Sequence, residues 1–282
     1  MTYQFPESIM QKNAYQIFQR GSKTYFFSSL FFPNSVRDEV AILYSFVRRA
    51  DDFVDCIPQQ RDQFTRYRRQ WEHSWEEGGG EDALVLKFVE LAKQRGIARA
   101  WVDAFLDAMA ADLDHQPIQT IEELESYIYG SAEVVGLMMC RLMNLSSDAH
   151  TAARQLGKSM QLINFIRDVA EDNTLGRRYL PTDELKQFAL EELTQESFYT
   201  NPNRFRRFIR FQIQRYRTWQ AEAEAGFHHL PRRLRIPVQT ASTMYNWTAD
   251  QIDKTPEIVL EKKIKPAWSR VLLTGLKHSL IG

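Results

Sequence analysis

Apolar side chains recur at helical rather than strand spacing along almost the whole chain. Within 36–56, Val40, Leu43, Tyr44 and Val47 repeat at short helical steps, just after the breaker Pro33-Asn34-Ser35. The pattern predicts helices over 36–56, 62–76, 83–95, 101–114, 121–145, 149–172, 204–229 and 238–254. Gly78-Gly79-Gly80 closes the second of these, and Gly96 supplies a C-terminal stop for the third. Alternating β-branched runs, long repeats and Pro- or Ser-rich linkers are absent from the sequence. These features imply an all-α chain organised as one domain over residues 1–282.

Two stretches break the amphipathic rule in the same way. In the first, Asp51 and Asp55 lie four residues apart on one helical face, with Asp52 beside them and Arg48 and Tyr44 continuing the stripe. Carboxylates this close repel one another, and a surface helix would dilute them with Lys. A hard divalent cation such as Mg²⁺ resolves the conflict, because it takes carboxylate oxygens and bridges to phosphate. In the second, Gln161, Asn164, Asp168 and Asp172 follow at steps of three, four and four, while Leu162, Ile163, Phe165, Ile166 and Val169 cover the other sides. A helix apolar on its other sides is buried, so its polar stripe must line a cavity or meet a partner. Facing stripes would enclose a metal–diphosphate cluster, with Arg48 and Arg167 binding phosphate oxygens bidentately. A lone D-x-x-x-D is usually a solvated face. Two of them, each beside an Arg, favour a site.

Composition narrows the setting. The 282 residues carry 36 Lys+Arg against 36 Asp+Glu, so nothing draws the chain toward nucleic acid. Hydrophobic residues at 44% and aromatics at 12% exclude a disordered chain. Cys56 and Cys140 show no metal-ligand spacing and read as packed thiols of a reducing compartment. Met1 to Ser8 lack a basic segment followed by an apolar run, and no uncharged apolar stretch is long enough to cross a bilayer. A cytoplasmic protein is expected, with any membrane contact peripheral.

At these residues the chain resembles the squalene/phytoene synthase family. One motif is matched by Tyr44, Arg48, Asp51, Asp52 and Asp55, another by Gln161, Asn164, Arg167, Asp168, Glu171 and Asp172 followed by Gly176-Arg177-Arg178-Tyr179-Leu180-Pro181. Gly21-Ser22-Lys23-Thr24-Tyr25-Phe26 and the segment from Tyr127 through Gly136 to Met139 are also similar, in the family's order. The resemblance implies the all-helical isoprenoid-synthase fold with a central cavity, and Mg²⁺-dependent head-to-head condensation of two prenyl diphosphates, with Mn²⁺ as a substitute. It implies metal ligation by Asp51, Asp52, Asp55, Asn164, Asp168 and Asp172. Catalytic roles fall to Asp51, Asp55, Asp168, Asp172, Tyr127 and Arg48. Substrate contacts fall to Ser22, Tyr44, Arg48, Gln161, Asn164, Arg167 and Gly136, with Lys262 or Lys263 as the late basic residue.

The segment 134–139 resembles phytoene-forming bacterial members, so two geranylgeranyl diphosphates are the first choice of substrate. Two farnesyl diphosphates, giving dehydrosqualene or squalene, are the alternative, and only squalene formation would need NADPH. The literal D-D-x-x-D also fits head-to-tail prenyltransferases and terpene cyclases, but the Arg167-Asp168 junction and the Tyr127 segment favour head-to-head chemistry. A non-catalytic scaffold on the same fold would be expected to lose one stripe.

Weaker signals admit two readings each. Leu137, Met138, Met139, Leu142 and Met143 form either core or a tunnel wall that Gly136 opens, and Phe26, Phe27, Phe31 and Phe32 are equally ambiguous. Arg204 to Arg217 is a basic helix, either a solvated face or, with Arg232, Arg233 and Arg235, a contact for anionic lipid. His228-His229 reads as a helix-end pair. Glu133 is either a stray surface group or a carboxylate on the cavity wall.

Overall fold

The computed structural model describes residues 7–281 and contains no strand among them. Met1 to Pro6, most of the segment expected not to be a signal peptide, lie outside the described residues. The first helices are α1 (Glu7–Gly21), α2 (Lys23–Ser29), α3 (Asn34–Asp55), α4 (Arg61–Glu77), α5 (Ala83–Arg95) and α6 (Arg99–Ala111). Then follow α7 (Ile121–Ile128), α8 (Val134–Leu142), α9 (His150–Arg167), α10 (Val169–Thr174), α11 (Thr182–Gln187) and α12 (Gln195–Thr200). The last three are α13 (Pro202–Ala225), α14 (Arg232–Lys254) and α15 (Trp268–Ile281). Local chemistry sets several ends. The Asp82 side chain accepts from the N–H groups of Leu84 and Val85 to start α5, and Gly96, at φ 64°, stops it.

Two apolar clusters hold these helices together. One joins α1, α3 to α6 and α8 around Phe46, Trp71, Phe88 and Leu106, with the Phe46 and Phe88 rings stacked at 4.0 Å. The other joins α7, α9, α11, α13 and α14 around Leu162, Ile166, Phe205, Phe208 and Ile213. Each fully buried Phe or Leu contributes about 1.5–3 kcal/mol, so the fold does not depend on the polar stripes.

Two of the expected long helices are interrupted, and both interruptions matter. The helix expected over 121–145 contains a π-turn at Tyr129–Glu133. On an unbroken helix Tyr127 and Met139 would point about 120° apart; the residue absorbed by the π-turn brings them within about 20°. Tyr127, Val135 and Met139 accordingly line the same cavity. The helix expected over 149–172 breaks at Asp168 (φ −100°, ψ 12°). The break is slight, since the Asp168 N–H still donates to the Asn164 carbonyl and the Asp172 N–H to the Asp168 carbonyl, both at 2.9 Å. The helices expected over 101–114 and 204–229 each end in a 3-10 turn, Asp112–Asp114 and Gly226–His229.

The basic run over 204–217 is not a free cationic face. Arg206 pairs with Glu257, Arg215 with Glu184, Arg210 with Asp253, and Arg217 with Asp250 and Asp253. Glu133 is buried and held by Arg154 at 2.8 Å, away from the cavity wall. No helix among the described residues is long and apolar enough to cross a membrane.

Candidate active site

A cavity of about 1330 Å³ opens between the two apolar clusters and takes its walls from both. Drug-sized pockets run to roughly 300–1,000 Å³, so this one suits a larger guest. Asp51, Asp52 and Asp55 of α3 and Gln161, Asn164, Asp168 and Asp172 of α9–α10 all line it, together with Ser22, Tyr44, Arg48, Tyr127 and Arg167. Leu43, Val135, Met139, Met143, Phe165 and Ala241 supply apolar wall. Met138, Leu137 and Leu142 are core instead, and of the four early phenylalanines in question Phe32 lines the cavity.

The acids are balanced by cations at close range. Arg48 reaches Asp51 at 3.0 Å and Asp52 at 2.5 Å. Arg167 grips Asp168 through two 2.7 Å bonds, and Lys263 approaches the same carboxylate at 2.9 Å while also pairing with Glu171. Burial still dominates. It pushes the Asp51 carboxyl up to about 7, with Asp55 adding to the rise, and the Asp172 carboxyl up to about 8, with Asp168 adding. In each half-buried stripe one carboxyl, Asp51 or Asp172, is thus not fully compensated by the cations around it. The Asn164 Oδ1 is buried with no hydrogen-bond partner among the described residues. Such hard oxygen donors fit Mg²⁺ or Mn²⁺, although among the described residues no three acids converge on one point as a closed cage.

Several residues in this site were given no role from the sequence. Arg177, 5% exposed, donates to Asp55 at 2.5 Å and to the Val54 carbonyl at 2.6 Å, tying α3 to the loop after α10. Asp112, 4% exposed, accepts from the Tyr127 hydroxyl at 2.5 Å and from the Tyr179 hydroxyl at 2.9 Å. Lys265 also lines the cavity; burial, with Lys263 and Arg167 nearby, holds its amine below the ordinary lysine range. Arg177 and Tyr179 had a signal, the Gly-Arg-Arg-Tyr-Leu-Pro run. Asp112 had none beyond ending a helix.

Two expectations need correction. Lys262 is exposed and does not line the cavity, so Lys263 is the basic residue that meets the second stripe. Gly136 does touch the cavity, but its missing side chain serves packing: a Cβ there would lie 2.3 Å from the Ala153 carbonyl oxygen of α9. Gly157 is the reciprocal case, where a Cβ would lie 2.6 Å from the Ala132 carbonyl oxygen. Of the remaining sequence signals, His228 and His229 form a tilted ring pair in the 3-10 turn, Cys140 is buried, and Cys56 is half-buried and lines the cavity.

The profile of the squalene/phytoene synthase family matches residues 18–271. The chain belongs to this family. It is 30% identical to the 15-cis-phytoene synthase of Synechococcus elongatus over 91% of this chain and 88% of the relative. It is also 30% identical to that of a Synechocystis species over 84% and 75% of the two chains. A crystal structure of a dehydrosqualene synthase superposes with a TM-score of 0.83 at 23% identity, over 96% of this chain and 95% of the other. A squalene synthase from Alicyclobacillus acidocaldarius follows at 0.75 and 19%, over 89% and 96%. These likenesses establish the isoprenoid-synthase helical fold. The enzyme is a prenyltransferase of a family that joins prenyl diphosphates head to head.

Proposed function

We propose that this enzyme condenses two geranylgeranyl diphosphates head to head (1'-1) to phytoene, through a cyclopropylcarbinyl diphosphate and with Mg²⁺. The observation that carries the reading is that two acid-bearing helices meet on the wall of a single large cavity whose remaining lining is largely apolar. Similarity to 15-cis-phytoene synthases supports the C20 substrate over the C15 one.

Asp51, Asp52, Asp55, Asn164, Asp168 and Asp172 would hold Mg²⁺, which when bound supplies positive charge to the departing diphosphate. The chain's own cations do the rest. Arg48, Arg167 and Lys263 are engaged by carboxylates and exchange them for phosphate oxygens as substrate enters. Lys265, crowded by two other cations, gains most from an incoming anion. Ser22 and Tyr44 line the cavity with Arg48, and Tyr44 is fixed by stacking on Phe18 at 4.3 Å. Burial raises the Tyr127 phenol far above its ordinary range, so it remains neutral and keeps its hydrogen on Asp112. The apolar wall of Leu43, Val135, Met139, Met143 and Phe165 excludes water from the carbocation.

Mass analysis of the product tests this directly. Purified enzyme is given geranylgeranyl or farnesyl diphosphate, with Mg²⁺ or EDTA and with or without NADPH. A metal-dependent C40 hydrocarbon is expected. A C30 hydrocarbon would reassign the enzyme to dehydrosqualene or, if NADPH is consumed, squalene formation. A longer linear diphosphate or a cyclic terpene would overturn head-to-head chemistry, and the absence of any turnover would favour a scaffold.

A further inference from the structure

We infer that the outer face of α15 docks the enzyme on an anionic lipid bilayer, with the cavity mouth beside the membrane. Among the described residues nine large hydrophobic side chains are exposed, and four of them lie on this one helix: Trp268 (54%), Leu273 (67%), Leu276 (54%) and Leu280 (85%). Leu273, Leu276 and Leu280 follow at steps of three and four, within about 60° of arc. The opposite side of α15 is firmly seated. Val271 is fully buried, and Gly275 lies so close to the Phe31 ring that a Cβ would meet it at 2.1 Å. A fifth exposed hydrophobic, Leu30, closes α2, which packs against α15. The helix thus spends one face on the protein and offers an apolar stripe on the other, as an interfacial helix does.

Charge identifies the occupant. Residues 262–281 carry Lys262, Lys263, Lys265, Arg270 and Lys277 and no acid at all. Arg232 donates to the Ser279 carbonyl at 3.1 Å, which brings the basic start of α14, Arg232 and Arg233, to the far end of the same face. A second copy of the chain would set like charges against one another, whereas an anionic headgroup layer attracts them. Position agrees with charge. Trp268, the first residue of α15, stands off the leucine stripe at the N-terminal end of the helix, where it packs against Phe27, is 54% exposed and also lines the cavity, next to Lys265, Pro266 and Ala267. A tryptophan with one side in protein and one outside suits the headgroup level of a bilayer.

Flotation of the full-length protein with vesicles tests the assignment without reading any chemistry. Vesicles of phosphatidylcholine with about 30% phosphatidylglycerol should carry the protein up the gradient, and phosphatidylcholine alone should carry much less. The triple variant Leu273→Ser/Leu276→Ser/Leu280→Ser should bind at least about tenfold more weakly. The charge reversal Arg270→Glu/Lys277→Glu, which keeps the leucines, should lose the preference for the anionic vesicles. Neither variant touches the cavity, so turnover of detergent-dispersed substrate should be unchanged, which also shows that both fold. Equal flotation of both variants and the unaltered protein would overturn the inference. So would a dimer in sedimentation velocity that the triple variant abolishes, which would make a second copy the occupant. A different product, or none, would overturn the proposed reaction and leave the flotation result standing.

Discussion

The acids of α3 and those of α9–α10 reach one cavity by different routes. On α3 most of the charge balance is local: Arg48 stands three and four residues before Asp51 and Asp52 and answers both within one turn. Only Asp55 looks further, to Arg177, 122 residues away in sequence. On α9–α10 the balance is mostly long-range. Asp168 has its neighbour Arg167, but its second cation, Lys263, comes from the segment before α15, and Asp172 is left with its carboxyl pushed up to about 8. The first stripe draws most of its counter-charge from its own helix, although Asp51 is still pushed up to about 7, while the second depends more on the chain returning to it. That contrast explains why Arg48 and Arg167 are readable beside their stripes, whereas Lys263 and Arg177 join them only in the folded molecule.

The contrast can be attacked by substitution. Asp51→Ala and Asp168→Ala should each lower turnover about a thousandfold or more, with unchanged circular dichroism, because each removes a carboxylate from the acid-lined end where the proposed metal–diphosphate cluster would sit. Full activity in either would mean that only one stripe serves the chemistry. Lys263→Ala should lower turnover roughly 10- to 100-fold, while Lys262→Ala leaves it unaltered. The reverse result would move the late basic residue back to Lys262, which does not line the cavity. Gly136→Ala should lower the melting temperature by roughly 3–10 °C, since the added Cβ pushes α8 from the α9 backbone that seats the second stripe. A shorter product with no change in melting would instead restore its reading as the opening of a tunnel.

The smallest effect concerns pH. Asp172 has an ordinary carboxyl in the unfolded chain and one raised to about 8 in the folded protein, mainly by burial and then by Asp168. A raised acid stabilises the fold most at low pH and loses that contribution as pH climbs through its folded value. In metal-free buffer Asp172→Asn should therefore melt about 2–4 °C higher than the unaltered protein above pH 8, with the difference vanishing near pH 4. A difference that grows toward acid pH would show that Asp172 is held by a cation after all.

Much of the architecture was legible because amphipathic period survives folding. The helix expected over 36–56 is Asn34–Asp55 in the structure, and Gly96 ends α5 where its lack of a side chain suggested. The short helices α2, α11 and α12 and the terminal α1 and α15 were not foreseen, as were neither the π-turn nor the break at Asp168. Both interruptions sit where distant segments close in: a Cβ at Gly130 would meet the Ala104 carbonyl oxygen at 2.6 Å, and Asp168 meets Lys263.

By itself the order of residues determined that the chain is helical, that two helices carry acids their apolar neighbours cannot solvate, and that each places an Arg beside them. Those properties depend on spacings of three and four residues, which any helix converts into a shared face. Only the tertiary structure decided which cations answer which acids, that Asp112 anchors Tyr127, that Lys263 rather than Lys262 turns inward, and that the leucines of α15 remain uncovered. Such choices depend on where distant segments come to rest, and burial there sets both the charge a group can carry and the surface left for a partner.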